Sequence, residues 1–199
     1  GTPVVYSSTT NTVGNSSCFD SNSNRVVIAF THSSDDDGRA IVGSVDGTSI
    51  SFGTAVKFNG TSNISEAHAC FDSTNNKVII TFVDNGNSNY GTAVVGTVDS
   101  SDNSISFGSV AVFESATVSN PVPIHDVNAN KIVIQYKDAG NSNYGTGIVG
   151  TVSGTSISFG SASVYNSSTE TDVREPVYDS TNNKTVFIYQ DYGDTEKGK

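Results

Sequence analysis

The 199-residue sequence contains no methionine, not even at its start, so a processed or excerpted chain is expected. No apolar run approaches the roughly 18 residues that a spanning helix needs, which excludes helical membrane insertion. Basic residues are scarce: 10 Lys and Arg stand against 20 Asp and Glu, for a net charge of -10. That balance opposes binding to phosphate backbones, so nucleic acid is not an expected partner. Lys and Glu are few beside Ser, Thr, Asn and Gly, a composition that favours short strands and turns over helices. An acidic, hydroxyl-rich surface of this kind suits an extracellular, cell-surface or virion-surface setting.

What the sequence does contain is a tandem repeat of about 53 residues. Its landmark is an aspartate, a polar turn, a basic residue and an apolar run, anchored at Asp20, Asp72, Asp126 and Asp179. Repeats of this length are single supersecondary units that cannot bury their apolar surface alone, so they stack. The whole of 1–199 is read as one repeat domain. It divides into a partial copy at 1–16, copies at 17–68, 69–122 and 123–175, and a partial copy at 176–199.

Overlaying the copies predicts four strands in each. Strand a ends at the aspartate, and an Asn-rich turn follows, such as Ser73-Thr74-Asn75-Asn76. Strand b is the strongest signal, as in Lys77-Val78-Ile79-Ile80-Thr81-Phe82, and it is apolar on both faces. Such a strand belongs in a sheet covered on both sides. Strand c carries an internal glycine, Gly43, Gly96 or Gly150, which suggests close approach of another backbone or a bulge. Short turns then lead into strand d, Ser49 to Phe58 and Ser156 to Tyr165, while the turn at Asp99 to Asn103 is two residues longer. Cys18 and Cys70 share one register, where later copies have Ile124 and Val177, so both read as small buried side chains. A bridge between them is the alternative, conditional on their Cα separation.

Four antiparallel strands per repeat make one blade of a β-propeller-like array, an all-β fold. A β-solenoid of stacked repeats is the alternative. With its Asp-turn-Lys pattern, as in Tyr178-Asp179-Ser180-Thr181-Asn182-Asn183-Lys184, the chain resembles the tandem propeller-like repeats of bacterial surface proteins and phage tail fibres. It also looks somewhat like Kelch or sialidase-type blades, but the Trp of Kelch repeats is missing, since the chain has none. The N-terminal Gly1-Thr2-Pro3-Val4-Val5-Tyr6 aligns with Gly53 to Phe58, and Gly198-Lys199 aligns with Gly91-Thr92. The expectation is therefore an excerpt of a longer repeat array.

Candidate sites lie in the b–c loops, Asp84 to Gly91 and Asp138 to Gly145. Tyr90, Tyr144 and Tyr192, beside Asn89 and Asn143, offer aromatic faces flanked by amides, which suits a sugar ring. Oxygen ligands around a Gly-rich turn are what calcium requires, and Asp35, Asp36 and Asp37, with Asp84 and Asp138, are the candidates. Asp20, Asp72, Asp126 and Asp179 are read as turn-forming residues that accept hydrogen bonds from the following amides. No reactive constellation stands out. Arg25, Arg39 and Arg174 are too few for a sialidase-type cluster, and His32, His68 and His125 occupy non-equivalent positions. The expected function is thus a non-catalytic structural or adhesive repeat protein, partnering glycans or cell-surface proteins, further repeats, or copies of itself. The rival readings are a propeller-type glycan-processing enzyme and a pure fibre scaffold.

Overall fold

The computed structural model describes residues 1–8, 12–60, 63–167, 170–195 and 197–199. It is all-β and antiparallel, and its strands fall into four repeated units. The first comprises β1 (Thr12–Asp20), β2 (Arg25–His32), β3 (Asp37–Asp46), β4 (Ser49–Phe52) and β5 (Val56–Lys57). The second comprises β6 (Ile64–Asp72), β7 (Lys77–Asp84), β8 (Tyr90–Asp99), β9 (Ser104–Phe107) and the first half of β10 (Ala111–Asp126). The third takes the second half of β10, then β11 (Lys131–Asp138), β12 (Tyr144–Ser153), β13 (Ser156–Phe159) and β14 (Ser163–Asn166). The fourth holds β15 (Thr171–Val173), β16 (Val177–Asp179), β17 (Lys184–Val186), β18 (Tyr189–Asp191) and β19 (Lys197–Gly198).

Within each full unit the order is a-b-c-d, as in β1-β2-β3-β4. Strand d is two segments rather than one, because β4 and β5 pair with different stretches of β3 and Gly53 lies between them. Strand a is longer than the sequence suggests and is bulged. Its register slips at Gly14, Glu66 and Asn120, all in left-handed backbone with φ of 59°, 51° and 48°. Bulges re-aim the strand and strengthen its twist. In the fourth unit strands a and b are each interrupted, so that two short ladders, β15-β18 and β16-β17, replace one. Units two and three are joined directly: β10 pairs with β8 through its first half and with β11 through its second, making a nine-stranded sheet.

The units stack through alternate faces of strand b. Val27 and Ala29 of the first unit meet Val78, Ile80 and Phe82 of the second. The opposite face of β7, Ile79 and Val83, meets Ile132, Ile134 and Tyr136 of the third. Strand β7 is therefore buried on both sides, as its two apolar faces require. Each such side chain removed from water contributes about 1.5–3 kcal/mol. Strands β1, β6 and β10 of successive units lie against one another far more closely than do the outer strands β4 and β9.

A ring at the end of strand d locks each junction. Phe58 packs on Phe82 and Phe107 of the next unit, with ring centroids 5.2 and 5.9 Å apart. Phe113 does the same on Tyr136 and Phe159, at 5.3 and 5.7 Å. Tyr6 repeats the arrangement on Phe30 and Phe52, at 5.4 and 6.2 Å. At the fourth unit Tyr165 lies 5.0 Å from Phe187 and 5.1 Å from Tyr189.

The glycines of strand c make room for these rings. A Cβ on Gly38, Gly91 or Gly145 would collide with the ring of Phe58, Phe113 or Tyr165. One on Gly43 or Gly96 would press on Phe52 at 2.9 Å or Phe107 at 2.8 Å. The neighbour that excludes a side chain at Gly43, Gly96 and Gly150 is thus an aromatic or isoleucine side chain, not the backbone or bulge suggested by sequence. Replacing Gly91 by Ala should cost about 1–3 kcal/mol through overpacking against Phe113. Gly198→Ala, which meets nothing, should stay within about 0.5 kcal/mol. Urea unfolding of the two variants gives the comparison.

Candidate functional site

The b–c loops are built on a common frame. Asp84, Asp138 and Asp191 end strand b, one turn of 3₁₀ helix follows, and the backbone then turns left-handed. Ser88 and Asn89 have φ of 58° and 60°, and Ser142 and Asn143 have 58° and 61°. Two consecutive left-handed residues favour Asn over bulkier types. The carbonyl of Asn89 accepts a hydrogen bond from Val118 N at 3.2 Å, and that of Asn143 accepts one from Thr171 N at 3.0 Å. The side chain of Asn89 accepts from Asn85 Nδ2 at 2.8 Å. Both asparagines therefore hold the loop against the connection into the next strand a.

Tyr90 and Tyr144 are the first residues of strand c, paired with Asp84 and Asp138. Both rings are half-buried, whereas Tyr192 is 44% exposed. Tyr192 occupies a different place in its loop, the first residue of the 3₁₀ turn where the other loops have Asn85 and Ala139, so only Tyr90 and Tyr144 are equivalent. Glu196 of the fourth loop lies outside the described residues.

Asp84 and Asp138 are buried. Desolvation lifts the carboxyl pKa of Asp84 above its ordinary 3.8, against the pull of the Asn87 and Gly86 amides. Asp138 is raised by burial first and then by the negative charge of Glu114. Neither belongs to a group of His, Cys, Asp or Glu side chains close enough to share an ion among the described residues.

In the first unit His32 replaces the loop aspartate, and it forms such a group with Asp35 and Asp37. These carboxylates are already matched by cations. Arg39 Nη2 lies 2.8 Å from Asp35 and its Nε 2.7 Å from buried Asp37, and Lys57 also pairs with Asp37. Hydrogen bonds from the Ser34 hydroxyl and His32 hold the Asp35 carboxyl well below the usual carboxylate range. Asp36 sits in left-handed backbone with φ of 51°, and its carbonyl accepts from Ile64 N at 2.8 Å. His32, Asp35 and Asp37 are the residues that could hold a metal, and it would have to displace Arg39 and Lys57.

The four repeat aspartates close the a–b turns. Asp20 Oδ1 accepts from the amides of Asn22 and Ser23 at 2.9 and 3.0 Å. Asp72 accepts from Thr74 and Asn75, Asp126 from Ala129, and Asp179 from Thr181 and Asn182. The final turn residues Asn24, Asn76, Asn130 and Asn183 are all left-handed. One strand residue reaches back to the preceding unit's turn at two junctions: His125 Nδ1 accepts from Ser73 N at 3.3 Å, and Tyr178 Oη accepts from Asn128 N at 3.2 Å.

Both cysteines are free thiols. Burial pushes Cys18 up to about 12, aided by Asp20, and raises Cys70 well above its usual range. Neither suits nucleophilic chemistry. Arg25, at the position where later copies have lysine, bridges to the second unit, where it meets Asn103 and Ser100. The signal in the sequence is that Arg replaces Lys opposite the one lengthened turn.

Comparison with protein-family models, with curated proteins and with solved structures gives no match.

Two measurements follow from the loop electrostatics. The folded-state pKa of Asp84 lies above its unfolded value, so the folded protein holds that proton more tightly and stability is lost as pH rises through the folded-state pKa. Asp84→Asn retains an oxygen to accept from the loop amides and removes the charge. This variant should unfold at higher urea than the native chain at about pH 7, with the gap closing toward about pH 4. At the His32–Asp35–Asp37 group, about 1 mM calcium, enough for an extracellular-type site, should leave the melting temperature unchanged. The existing ion pairs already supply the cations.

Proposed function

We propose that the chain is a non-catalytic structural and adhesive module, with its sheets arranged as propeller-like blades and its b–c loops engaging glycans. The observation that carries this reading is where the reactive groups are spent. His125 links the a–b turn of the second unit to the third, contacting Asp72 at 3.2 Å and accepting from Ser73 N. Ser73, His125 and Asp72 superficially resemble a nucleophile, base and acid. Tyr178, however, does the same bridging at the next junction with no such chemistry, so inter-unit attachment is the shared role. His32 is tied to Asp35, and Arg25, Arg39 and Arg174 each serve backbone or carboxylate partners. Catalysis needs groups held in reach of a substrate, not consumed by the fold.

A curved array is supported over a straight solenoid by one long-range contact. His68 of the second unit lies 3.6 Å from Glu175, in the break between β15 and β16 that interrupts strand a of the fourth. Units two apart in a straight stack would be separated by about 20 Å, too far for these two side chains. Curvature around an axis next to strand a brings them together. The same geometry accounts for strands β1, β6 and β10 lying closer than the outer strands.

The adhesive reading draws on the repetition of Tyr90 and Tyr144 at the start of strand c in two successive units, with Tyr192 exposed elsewhere in the loop of the next, beside amide-rich loops. Several weak sites on one rigid array gain through avidity. The acidic surface suits an extracellular or virion-surface location, with copies of the chain or further repeats as structural partners. Tyr90→Ala combined with Tyr144→Ala should weaken retention on a glycan array about tenfold, the scale of losing aromatic packing. Retention equal to that of the native protein would remove the loops from the binding surface.

A further inference from the structure

Two departures from the repeat meet in space at the junction of the first and second units. The turn at residues 99–103 is two residues longer than its counterparts, and Arg25 stands where the second and third units have Lys77 and Lys131. Both lysines stay within their own sheets, each donating to a threonine hydroxyl, Thr97 or Thr151, at 2.9 Å. Arg25 instead crosses the junction. Its Nε donates to Asn103 Oδ1 at 2.5 Å and its Nη2 to the Ser100 carbonyl at 2.6 Å. Asn103 Nδ2 in turn donates to Ser44 Oγ at 3.3 Å. The backbone of Gly53 fits beneath the Asn103 carbonyl, with no space for a Cβ. The long turn is therefore anchored to the first unit by side chain and backbone before any ligand arrives, the preorganisation that binding rewards.

Beside this turn opens a cleft of about 410 Å³. That lies in the size range of small-ligand sites, about 300–1,000 Å³. Asn22 and Ser23 of the first unit form one wall, and Thr97, Asp99, Ser104 and Ser106 of the second form the other. Antiparallel order puts it at the a–b and c–d turns, the rim opposite the b–c loops of Tyr90 and Tyr144.

Its chemistry is selective. Hydroxyls and an amide can both donate and accept, and Val98 is the one aliphatic lining residue. Asp99 supplies the only charge in the lining. Its Oδ1 accepts from the Ser101 amide and hydroxyl at 2.9 and 2.7 Å, which hold the carboxyl below its ordinary pKa. The scarcity of apolar wall disfavours hydrophobic ligands, and the cations behind the lining, Lys77 on Thr97 and Arg25 on the Ser23 and Ser100 carbonyls, are already engaged by it. Adjacent hydroxyls of a neutral sugar match: they donate to a carboxylate through charge-assisted bonds and exchange hydrogen bonds with Thr97, Ser104 and Ser106.

We propose that this cleft binds the vicinal hydroxyls of a neutral saccharide, with Asp99 as the principal acceptor. The site rests on the glycan-binding reading above but lies on the other rim of the molecule. The test is a titration of ¹⁵N-labelled protein with the methyl glycosides of glucose, galactose, mannose and N-acetylglucosamine, each to about 50 mM, a range suited to weak single sites. Amides of Ser23, Thr97, Ser100 and Ser104 should shift saturably with at least one sugar. Asp99→Asn should weaken that binding about tenfold, as expected for a charged hydrogen bond, while Tyr90→Ala leaves it unchanged. The spectrum of each variant reports its folding, and Ser106→Val provides a second, uncharged lesion that should also weaken binding. Saturable shifts confined to residues 85–90 and 139–144 would overturn the cleft while keeping a glycan-binding protein. An absence of saturable shifts with all four sugars would overturn both, and native affinity in Asp99→Asn would overturn the role of Asp99.

Discussion

The stack depends on one contact made again at each junction: an aromatic ring at the end of strand d, seated over a glycine of its own strand c and against two rings of the next unit. Phe58 over Gly38, packed on Phe82 and Phe107, is the clearest instance. Edge-to-face rings add about 0.5–1.5 kcal/mol per pair beyond their buried area. The geometry also explains why strand c tolerates glycine despite its cost in a strand. Remove the ring's seat and the ring has nowhere to go, because interiors are packed to near-crystalline density.

Polar groups at the junctions serve specificity of placement more than bulk stability. Thr81 Oγ1 donates to the Pro121 carbonyl, and Gln135 Nε2 donates to the Ile188 carbonyl at 2.9 Å and to Tyr165 Oη at 3.0 Å. Bulge residues communicate as well: Asn120 N donates to Glu66 Oε2 at 2.7 Å. These groups sit on the inward face of a strand that must accept a neighbour. A neighbour in the wrong register would leave them buried and unpaired, at a cost larger than the net value of the bond itself. Apolar stacking thus supplies the driving force, and the buried hydrogen bonds select one alignment.

Much of the architecture was legible because it recurs. The short, β-branched apolar run Val78-Ile79-Ile80-Thr81-Phe82, entered from an Asn-rich turn, reads as a strand covered on both faces, and the structure covers both. The turn aspartates were legible for a local reason: an Asx bond spans two or three residues and needs no tertiary partner. The candidate sites were less so. Asp84 looked like a loop ligand, but it ends a strand and is buried. Asn89 looked like a side chain for sugar, but its carbonyl and its left-handed backbone are what the loop uses. Burial and backbone conformation of a loop residue depend on what lies across from it, which adjacent sequence does not encode.

By itself, the sequence determined the antiparallel strand class, the repeat length, the turns and the doubly buried b strand. Each follows from local periodicity or from the short reach of a side-chain bond. Only the tertiary structure decided which side chain seats on which glycine. It alone joined the second and third units through one continuous strand and drew His68 to Glu175 across an intervening unit. It also brought Arg25 onto the lengthened turn, 75 and 78 residues away, at Ser100 and Asn103. Such meetings depend on the angle at which rigid sheets stack, and that angle is the sum of many side-chain volumes rather than a property of any one segment.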